Sequence, residues 1–525
     1  MTRVVVIGNG MVGSRFVEDL LAADHASRFT VTVLGAEHCE PYNRVLLSEV
    51  VAGRYDLASL TLPTPDDPRL RVRRGAAATV IDREDRVVLT DDGSRHRYDL
   101  LVIATGASAR IPPLKGLTGD PEDPHALPRG VHALRSIDDA REIVAATLNA
   151  RRAVVLGAGV LGLEAACGLA ARGVQVTVVH PAPALMERQL DGDASRVVEA
   201  AMGTLGIDHR VGVGADEAIL EDGALRGLRL SSGEAVAADL LVVATGTTAN
   251  TTLARDAGLG TDRGIVVTDG LASVDDRRVF AIGDCAQPPE GGTGLVAQGW
   301  EQSRRLAAAL AAGASTGADA GQAASVLPPP APAPASGSDV VRLKSRGIDV
   351  VTMGVCGSQR PDNPAQRQLR LSDPHAGRHV EIVVSEGVLV GATCVGAGDV
   401  AVDLVAAYTR RTPLPADPAH LLLPALAGAA PAASPTPDQL PDTATVCRCN
   451  GVSKGDIAAH YELGCTDVDA IASATRATTG CGGCAEEVCG LLSWLERTSP
   501  PPDPAGENRF TSGKHMMHGT ETRAL

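Results

Sequence analysis

The 525-residue chain is long enough for several buried cores, and length alone predicts about three domains. A hydrophobic share of 44% is that of a globular protein, while a formal net charge of -15 argues against a large basic face for nucleic acid or anionic lipid. Eleven cysteines, odd in number and unevenly spaced, do not make a secreted disulfide framework; in a reducing compartment a dense cluster of them reads as metal ligation.

The start, MTRVVVIGNG, enters a strand with no basic leader, and no apolar run could span a bilayer. A cytoplasmic location with no membrane partner is expected. VVVIGNGMVGSRFVEDLLA predicts a strand, a glycine turn and a helix, followed by a second strand, TVTVL, at 30–34. In such a unit Gly8 makes the tight turn, Gly10 lets backbone amides approach a pyrophosphate, and Gly13 permits close helix-strand packing. An acid beyond the second strand takes the ribose hydroxyls, and Glu37 lies in that region, set off from the strand end by Gly35 and Ala36. The unit recurs as AVVLGAGVLGLEAACGLAARG, with Gly157, Gly159 and Gly162, then Glu164 and a strand QVTVV at 175–179. One G-x-G-x-x-G turn is weak evidence; two within βαβ frames are strong. His180 occupies the strand end where an acid would favour NADH, so NADPH is not excluded. Each unit is followed by a strand ending in ATG, first Ala104, Thr105 and Gly106, then Ala244, Thr245 and Gly246, and VFAIGDCA places Gly283 and Asp284 after another strand.

Two Ala/Pro/Gly/Ser-rich stretches, about 312–338 and 425–445, read as linkers with no packed element. Between them, 339–410 predicts a small antiparallel sheet with one covering helix. Beyond them Cys447 and Cys449 form C-x-C and Cys481 and Cys484 form C-x-x-C. Four thiolates suit a 2Fe-2S cluster or tetrahedral zinc, and the narrow C-x-C half leans towards the cluster. Thr479, Gly480, Gly482 and Gly483 would bring backbone amides close to the sulfurs, while Cys465 and Cys489 fall outside the pattern as packing residues.

The order of turns, ATG strands and G-D motif resembles the two-dinucleotide-fold flavoprotein disulfide reductase superfamily. That resemblance implies FAD on the first turn, NAD(P)H on the second, and Asp284 hydrogen-bonded to the flavin ribityl chain. It lacks that family's redox cysteine pair beside the flavin: Cys39 stands alone and is expected to be an inert buried thiol. The segment VCRCNGVSKGDIAAHYELGCTDVDAIASATRATTGCGGCAEEVCGLLSWL resembles the bacterioferritin-associated-ferredoxin-like 2Fe-2S domain. GNGMVGSRFVEDL, EPYNRVLLSEVVAG and HPAPALMERQLD, with the middle sheet and the cysteine module in that order, are similar to the N-terminal half of NAD(P)H nitrite reductase large subunits and to the flavoprotein electron-transfer subunits of assimilatory nitrate reductases. In that family Arg44 lies beside the flavin.

The fold class implied is α/β: two Rossmann-like dinucleotide-binding domains, one inserted in the other, a small α+β middle domain and a small helical 2Fe-2S module. The expected boundaries are 1–125 and 250–312 for FAD, 126–249 for NAD(P)H, a linker at 313–338, a sheet domain at 339–424, a linker at 425–445, the 2Fe-2S domain at 446–495 and a disordered tail at 496–525. No cysteine set follows Cys489, so nitrite reduction at a sirohaem is not expected of this chain. The resemblance implies an electron-transfer flavoprotein whose partner is a molybdenum-containing nitrate reductase catalytic subunit. A general ferredoxin or rubredoxin reductase, a donor to a separate nitrite reductase, and a zinc-binding docking role for the module stay open, as does a homo-oligomer.

Overall fold

The computed structural model describes residues 1–117, 127–315, 339–358, 360, 363–423, 440–447, 450–480 and 482–498. Two compact units divide the chain, Met1–Ser434 and Pro435–Leu525.

In the first unit the all-apolar run VVVI of strand Thr2–Ile7 is almost wholly buried, as a parallel strand covered on both faces must be. It lies at the centre of a five-stranded parallel sheet in the order Val279–Ala281, Leu100–Ile103, Thr2–Ile7, Phe29–Gly35, Leu70–Arg74. The edge strand Val279–Ala281 comes from far along the chain, so this sheet is assembled from discontinuous segments. The helices Met11–Ala23 and Val296–Ser315 pack on each other, with Trp300 buried and its indole N–H donating to the Met11 carbonyl at 3.3 Å. The second helix runs to Ser315, three residues into the stretch expected to be a linker at 313–338; residues 316–338 of that stretch lie outside the described residues.

The repeat read in the sequence is repeated in space. A second parallel sheet has the order Ile207–Val211, Gln175–His180, Arg152–Leu156, Leu240–Val243, Val131–Ala133. Each fold carries a three-stranded antiparallel insertion ahead of its ATG strand, built from 78–97 in the first and 215–237 in the second. The two ATG turns lead into short strands, Ala107–Ala109 and Thr247–Ala249, that pair antiparallel and tie the folds together.

The expected middle sheet is present. Val341–Arg342, Val350–Gly354, Val388–Val395, Arg378–Ser385 and Arg367–Asp373 form a five-stranded antiparallel sheet covered by helix Gly398–Arg410. It docks on the second dinucleotide fold: Leu343, Ile348, Val350 and Val395 join the core that contains Val155, Val178, Leu163 and, from the first fold, Leu47 and Val51. A charged node reinforces this contact. Glu381, 2% exposed, accepts from Arg360 at 2.6 and 2.9 Å and from Arg370 at 2.9 Å, and Arg370 also reaches Asp191 at 2.6 Å and Asp193 at 2.7 Å.

Burial pushes the Glu381 carboxyl up, but the two guanidinium groups overcome it and hold the group below its ordinary value. A carboxylate depressed in the folded state adds stability at neutral pH that is lost as pH falls through the folded value, below the ordinary glutamate range near about 4.3. Glu381→Gln therefore destabilises the first unit by about 3 kcal/mol at pH 7, because Arg360 is left buried without its anion. The loss shrinks in acid, as unfolding midpoints in urea at pH 7 and pH 3.5 will show.

In the second unit a short hairpin, Thr445–Cys447 with Val452–Ser453, precedes helices Lys454–Glu462, Val468–Thr475 and Ala485–Thr498. Ser453 and Asp456 form a capping box that starts the first helix. Residues 440–445, expected to be linker, instead strap this unit. Lys454 N–H donates to the Ala444 carbonyl at 2.8 Å, its Nζ reaches the Leu440 carbonyl at 2.8 Å, and the ammonium lies 5.0 Å from the Trp494 ring centroid. Helix Ala485–Thr498 likewise occupies the first three positions of the expected tail; 499–525 lie outside the described residues.

Candidate functional site: two glycine turns and a cysteine pair

The glycines of the first turn divide into two kinds. A Cβ on Gly8, whose φ is +114°, would lie 2.2 Å from the Ala104 carbonyl oxygen, and one on Gly13 would lie 2.1 Å from the Gly8 oxygen. These two are required by the fold itself. A Cβ on Gly10 meets nothing nearer than Arg44 Nε at 4.0 Å. That open cradle at the head of helix Met11–Ala23, where unpaired amides and the positive end of the dipole collect, fits a pyrophosphate.

Around this turn the structure gathers charge. Tyr42 donates to Glu37 at 2.8 Å and accepts from Ile137 N–H at 3.0 Å, Arg44 pairs with Glu37, and the Arg44 guanidinium lies 4.6 Å from the Tyr42 ring centroid. Arg44 also donates to the Arg135 carbonyl at 3.2 Å. Arg135 in turn binds Asp284 at 2.7 Å and the Ala107 carbonyl at 2.9 Å. Asp284 sits in the short turn Gly283–Cys285, and the Gly283 N–H is taken by Gln302 at 2.8 Å. Asn250 closes the first ATG turn, donating to the Thr105 carbonyl at 2.9 Å and accepting from Ser108 at 2.7 Å; Gly106, at φ +67°, faces open space.

Glu37, Arg44 and Asp284 are thus linked through Tyr42 and Arg135, neither of which the sequence reading singled out. Tyr42 carried a signal, lying in EPYNRVLLSEVVAG; Arg135 carried none. Cys39, expected to be buried, is half-buried, with its sulfur 3.9 Å from Glu37. Burial and the Glu37 charge push its thiol up, which makes it a poor nucleophile.

The second turn repeats the division. Cβ atoms on Gly157 (φ +110°) and Gly162 would lie 2.4 Å from the Ala244 oxygen and 2.0 Å from the Gly157 oxygen, whereas Gly159 has nothing within 4 Å. Gly246, at φ +99°, likewise faces open space, and Thr245 is locked to Arg110 by bonds of 2.6 Å in both directions. His180 ends its strand, as expected, but its ring turns inward to the glycine turn: Nδ1 accepts from Ala158 N–H at 3.3 Å and Nε2 faces Glu187 at 3.0 Å. Glu164 also points inward. It is 3% exposed, accepts from Ser48 at 2.6 Å and Lys344 N–H at 2.9 Å, and pairs with Lys344 Nζ at 3.0 Å, bolting both dinucleotide folds to the middle sheet.

In the second unit Cys447 and Cys484 are brought together in the core, 2% and 7% exposed. The hydrogen bond from Cys484 holds the Cys447 thiol down to about 6 against the opposing effect of burial, helped by the backbone N–H groups of Asn450 and Thr478. Asn450 Nδ2 lies 3.8 Å from the Cys447 sulfur and 2.6 Å from the Arg476 carbonyl. Arg476 and Thr478, at φ +63° and +69°, hold the left-handed backbone that aims these donors. A thiolate with converging amides is what a metal ligand requires, so the residues present fit a cluster. Cys449, Cys481 and the remaining geometry of the ligand set lie outside the described residues. Cys465 packs on this core as expected, but Cys489 is exposed on the helix and is no packing residue.

Comparison with known proteins agrees with this geometry. Residues 2–313 match the pyridine nucleotide-disulphide oxidoreductase family and residues 445–494 the BFD-like [2Fe-2S] binding domain, which decides the choice between cluster and zinc. The chain is 35% identical over 498 residues to the large subunit of a nitrite reductase [NAD(P)H] from Klebsiella oxytoca, covering 94% of this chain and 49% of that protein. It is 29% identical over 512 residues to the assimilatory nitrate reductase electron transfer subunit of Bacillus subtilis, covering 96% of this chain and 61% of that one. The chain therefore spans about half the length of the curated relatives it matches. Among solved structures, the ferredoxin reductase for the CYP199A2 system from Rhodopseudomonas palustris superposes with a TM-score of 0.63 at 25% identity, covering 76% of this chain and 92% of that one. Two glycine cradles in paired dinucleotide folds, followed by a unit built round a cysteine pair, make this chain a member of the pyridine nucleotide-disulphide oxidoreductase family, an NAD(P)H-dependent FAD oxidoreductase with a BFD-like [2Fe-2S] domain.

Proposed function

We propose that the chain oxidises NAD(P)H and reduces a separate protein, a molybdenum-containing nitrate reductase catalytic subunit, in nitrate assimilation. The observation that carries this reading is the combination of two open glycine cradles in one unit with the Cys447–Cys484 pair in another, where among the described residues no cysteine pair stands beside the first cradle. The name of the Bacillus subtilis electron transfer subunit supports the choice of acceptor.

On this reading FAD lies on the Gly8, Gly10 and Gly13 turn, with Glu37, Arg44, the Ala104–Thr105–Gly106 turn, Gly283 and Asp284 around it. Arg135, bonded to Asp284, brings a second cation to the same rim. NAD(P)H lies on the Gly157, Gly159 and Gly162 turn, with Gly246 lining it, His180 behind the turn at Ala158 and Glu164 holding the folds in register. Cys447, Cys449, Cys481 and Cys484 hold the cluster. Bound FAD supplies the conversion of a hydride's electron pair into single electrons. No proton need be moved by a side chain, so the work of the protein is positioning. No helix among the described residues is long and apolar enough to cross a membrane, and a cytoplasmic location belongs to the proposal.

The test is anaerobic NADH and NADPH consumption with nitrite followed in parallel. Nitrate with the chain alone gives a background rate, and adding a nitrate reductase catalytic subunit raises nitrite formation by orders of magnitude. The sequence is similar to nitrite reductases over nearly its whole length, which favours one other acceptor, a nitrite-reducing partner. Nitrite consumption stimulated by such a partner, with no stimulation by the nitrate reductase subunit, selects it instead. Equal turnover with any ferredoxin sinks both.

A further inference from the structure

Strand Gln175–His180 ends at the place where, in folds of this kind, a carboxylate receives the adenosine ribose hydroxyls. The histidine there is 9% exposed and does not itself present a group to the ligand. Its Nδ1 faces the Ala158 N–H, so that nitrogen is an acceptor and the ring is the Nε2–H tautomer, which donates to Glu187 at 3.0 Å. A carboxylate therefore stands one hydrogen bond beyond the strand end.

The loop that carries this carboxylate is built to hold it. Met186 N–H donates to the Ala158 carbonyl at 2.9 Å, so Ala158, between the glycines of the turn, is fastened on one side by His180 and on the other by the loop. Met186 is buried and has φ +47°, a left-handed conformation costly for a residue with a Cβ. From the outer side the middle sheet grips the same loop. Ser358 donates to the Glu187 carbonyl through its N–H at 3.1 Å and its hydroxyl at 3.0 Å, and Gly357 packs so closely that a Cβ there would lie 2.3 Å from the Arg188 oxygen. The Glu187 side chain itself stays 22% exposed, one imidazole away from the Ala158 amide of the glycine turn.

We propose that Glu187, oriented by His180, is the residue that selects the coenzyme, accepting hydrogen bonds from the adenosine ribose of NADH and repelling the 2′-phosphate of NADPH. The proposal rests on the reading of the Gly157–Gly162 turn as the NAD(P)H site. Two hydroxyls can donate to one carboxylate, whereas a phosphate monoester brings a second negative charge with no donor. Arg188, the neighbouring cation, is exposed and stands as the competing determinant.

Equilibrium titration of the FAD-loaded protein with NAD+ and NADP+, and competition with 5′-AMP and 2′,5′-ADP, reads this without turnover. The wild type is expected to bind NAD+ about tenfold or more tightly than NADP+. Glu187→Gln keeps an oxygen for the His180 donor while removing the charge, and should bring the two constants to within about threefold; Arg188→Ala should leave the ratio where it was. Tighter NADP+ binding by the wild type overturns the proposal whether or not the variant folds, as does a ratio unmoved in a folded Glu187→Gln protein. If neither nucleotide nor either fragment binds while FAD is retained, the coenzyme reading of the second turn fails, which is a different result from a failure of Glu187 alone.

Discussion

Glycine-to-alanine changes within a single turn should have opposite outcomes. Gly162→Ala and Gly13→Ala each place a methyl group about 2 Å from a backbone oxygen, Gly157 O in one fold and Gly8 O in the other. Neither oxygen belongs to a flexible side chain that could move aside. Both positions are inside helices, where alanine is intrinsically better than glycine by about 1 kcal/mol, so any net loss measures the clash. We expect a loss of about 3 kcal/mol or more, seen as a lower urea midpoint and poor soluble yield.

Gly159→Ala and Gly10→Ala should fold almost as the wild type does. Both glycines are helix caps in extended backbone, at φ -72° and -85°, which alanine adopts freely, and their Cβ atoms point into open space. That space is where a pyrophosphate must come close to the backbone. Gly159→Ala should weaken NAD+ binding about tenfold or more with the flavin retained, and Gly10→Ala should yield protein depleted in FAD. If the two kinds of variant lose stability equally, the division of the turn into packing and ligand-facing glycines is wrong.

The other large effect is expected at Cys447. Purified protein should carry about two iron and two acid-labile sulfides per chain, and Cys447→Ser should lose them. The serine hydroxyl cannot match a thiol that Cys484, Asn450 and Thr478 already favour in its ionised form. Loss of a partner that only hydrogen-bonds to a ligand costs about 10–100-fold, so loss of a ligand should lower reduction of a protein acceptor at least about a hundredfold. Ferricyanide reduction by NAD(P)H should stay within about twofold, because a small dye needs only the first unit. An equal fall in both activities with FAD still bound would place the cysteines in the stability of the chain rather than in electron delivery, and stoichiometric zinc in the wild type would remove the redox role of the second unit.

What could be read from the sequence was whatever local chemistry encodes. The two βαβ units, the ATG turns and the antiparallel middle sheet followed from apolar runs and glycine spacing, because strand burial and turn geometry depend on residues a few positions apart. The cysteine spacing left a 2Fe-2S cluster or zinc for the second unit and leaned towards the cluster, and the match to the BFD-like [2Fe-2S] binding domain decided it. Boundaries were less legible: residues 313–315, 440–445 and 496–498 look like linker or tail in composition, yet they are a helix end, a strap and a helix end. Composition reports local preference, and packing overrides it. The partners of the polar groups came only from the tertiary structure. Glu164 finds Ser48 and Lys344 at separations of 116 and 180 residues, and Arg135 finds Asp284 at 149, distances over which no periodicity carries information. His180 shows the limit most clearly. Its place at the strand end was evident in the sequence, but the direction of its ring, and hence the carboxylate it holds beside the turn, depended on a backbone amide at Ala158 and a left-handed residue at Met186 that only the folded chain brings together.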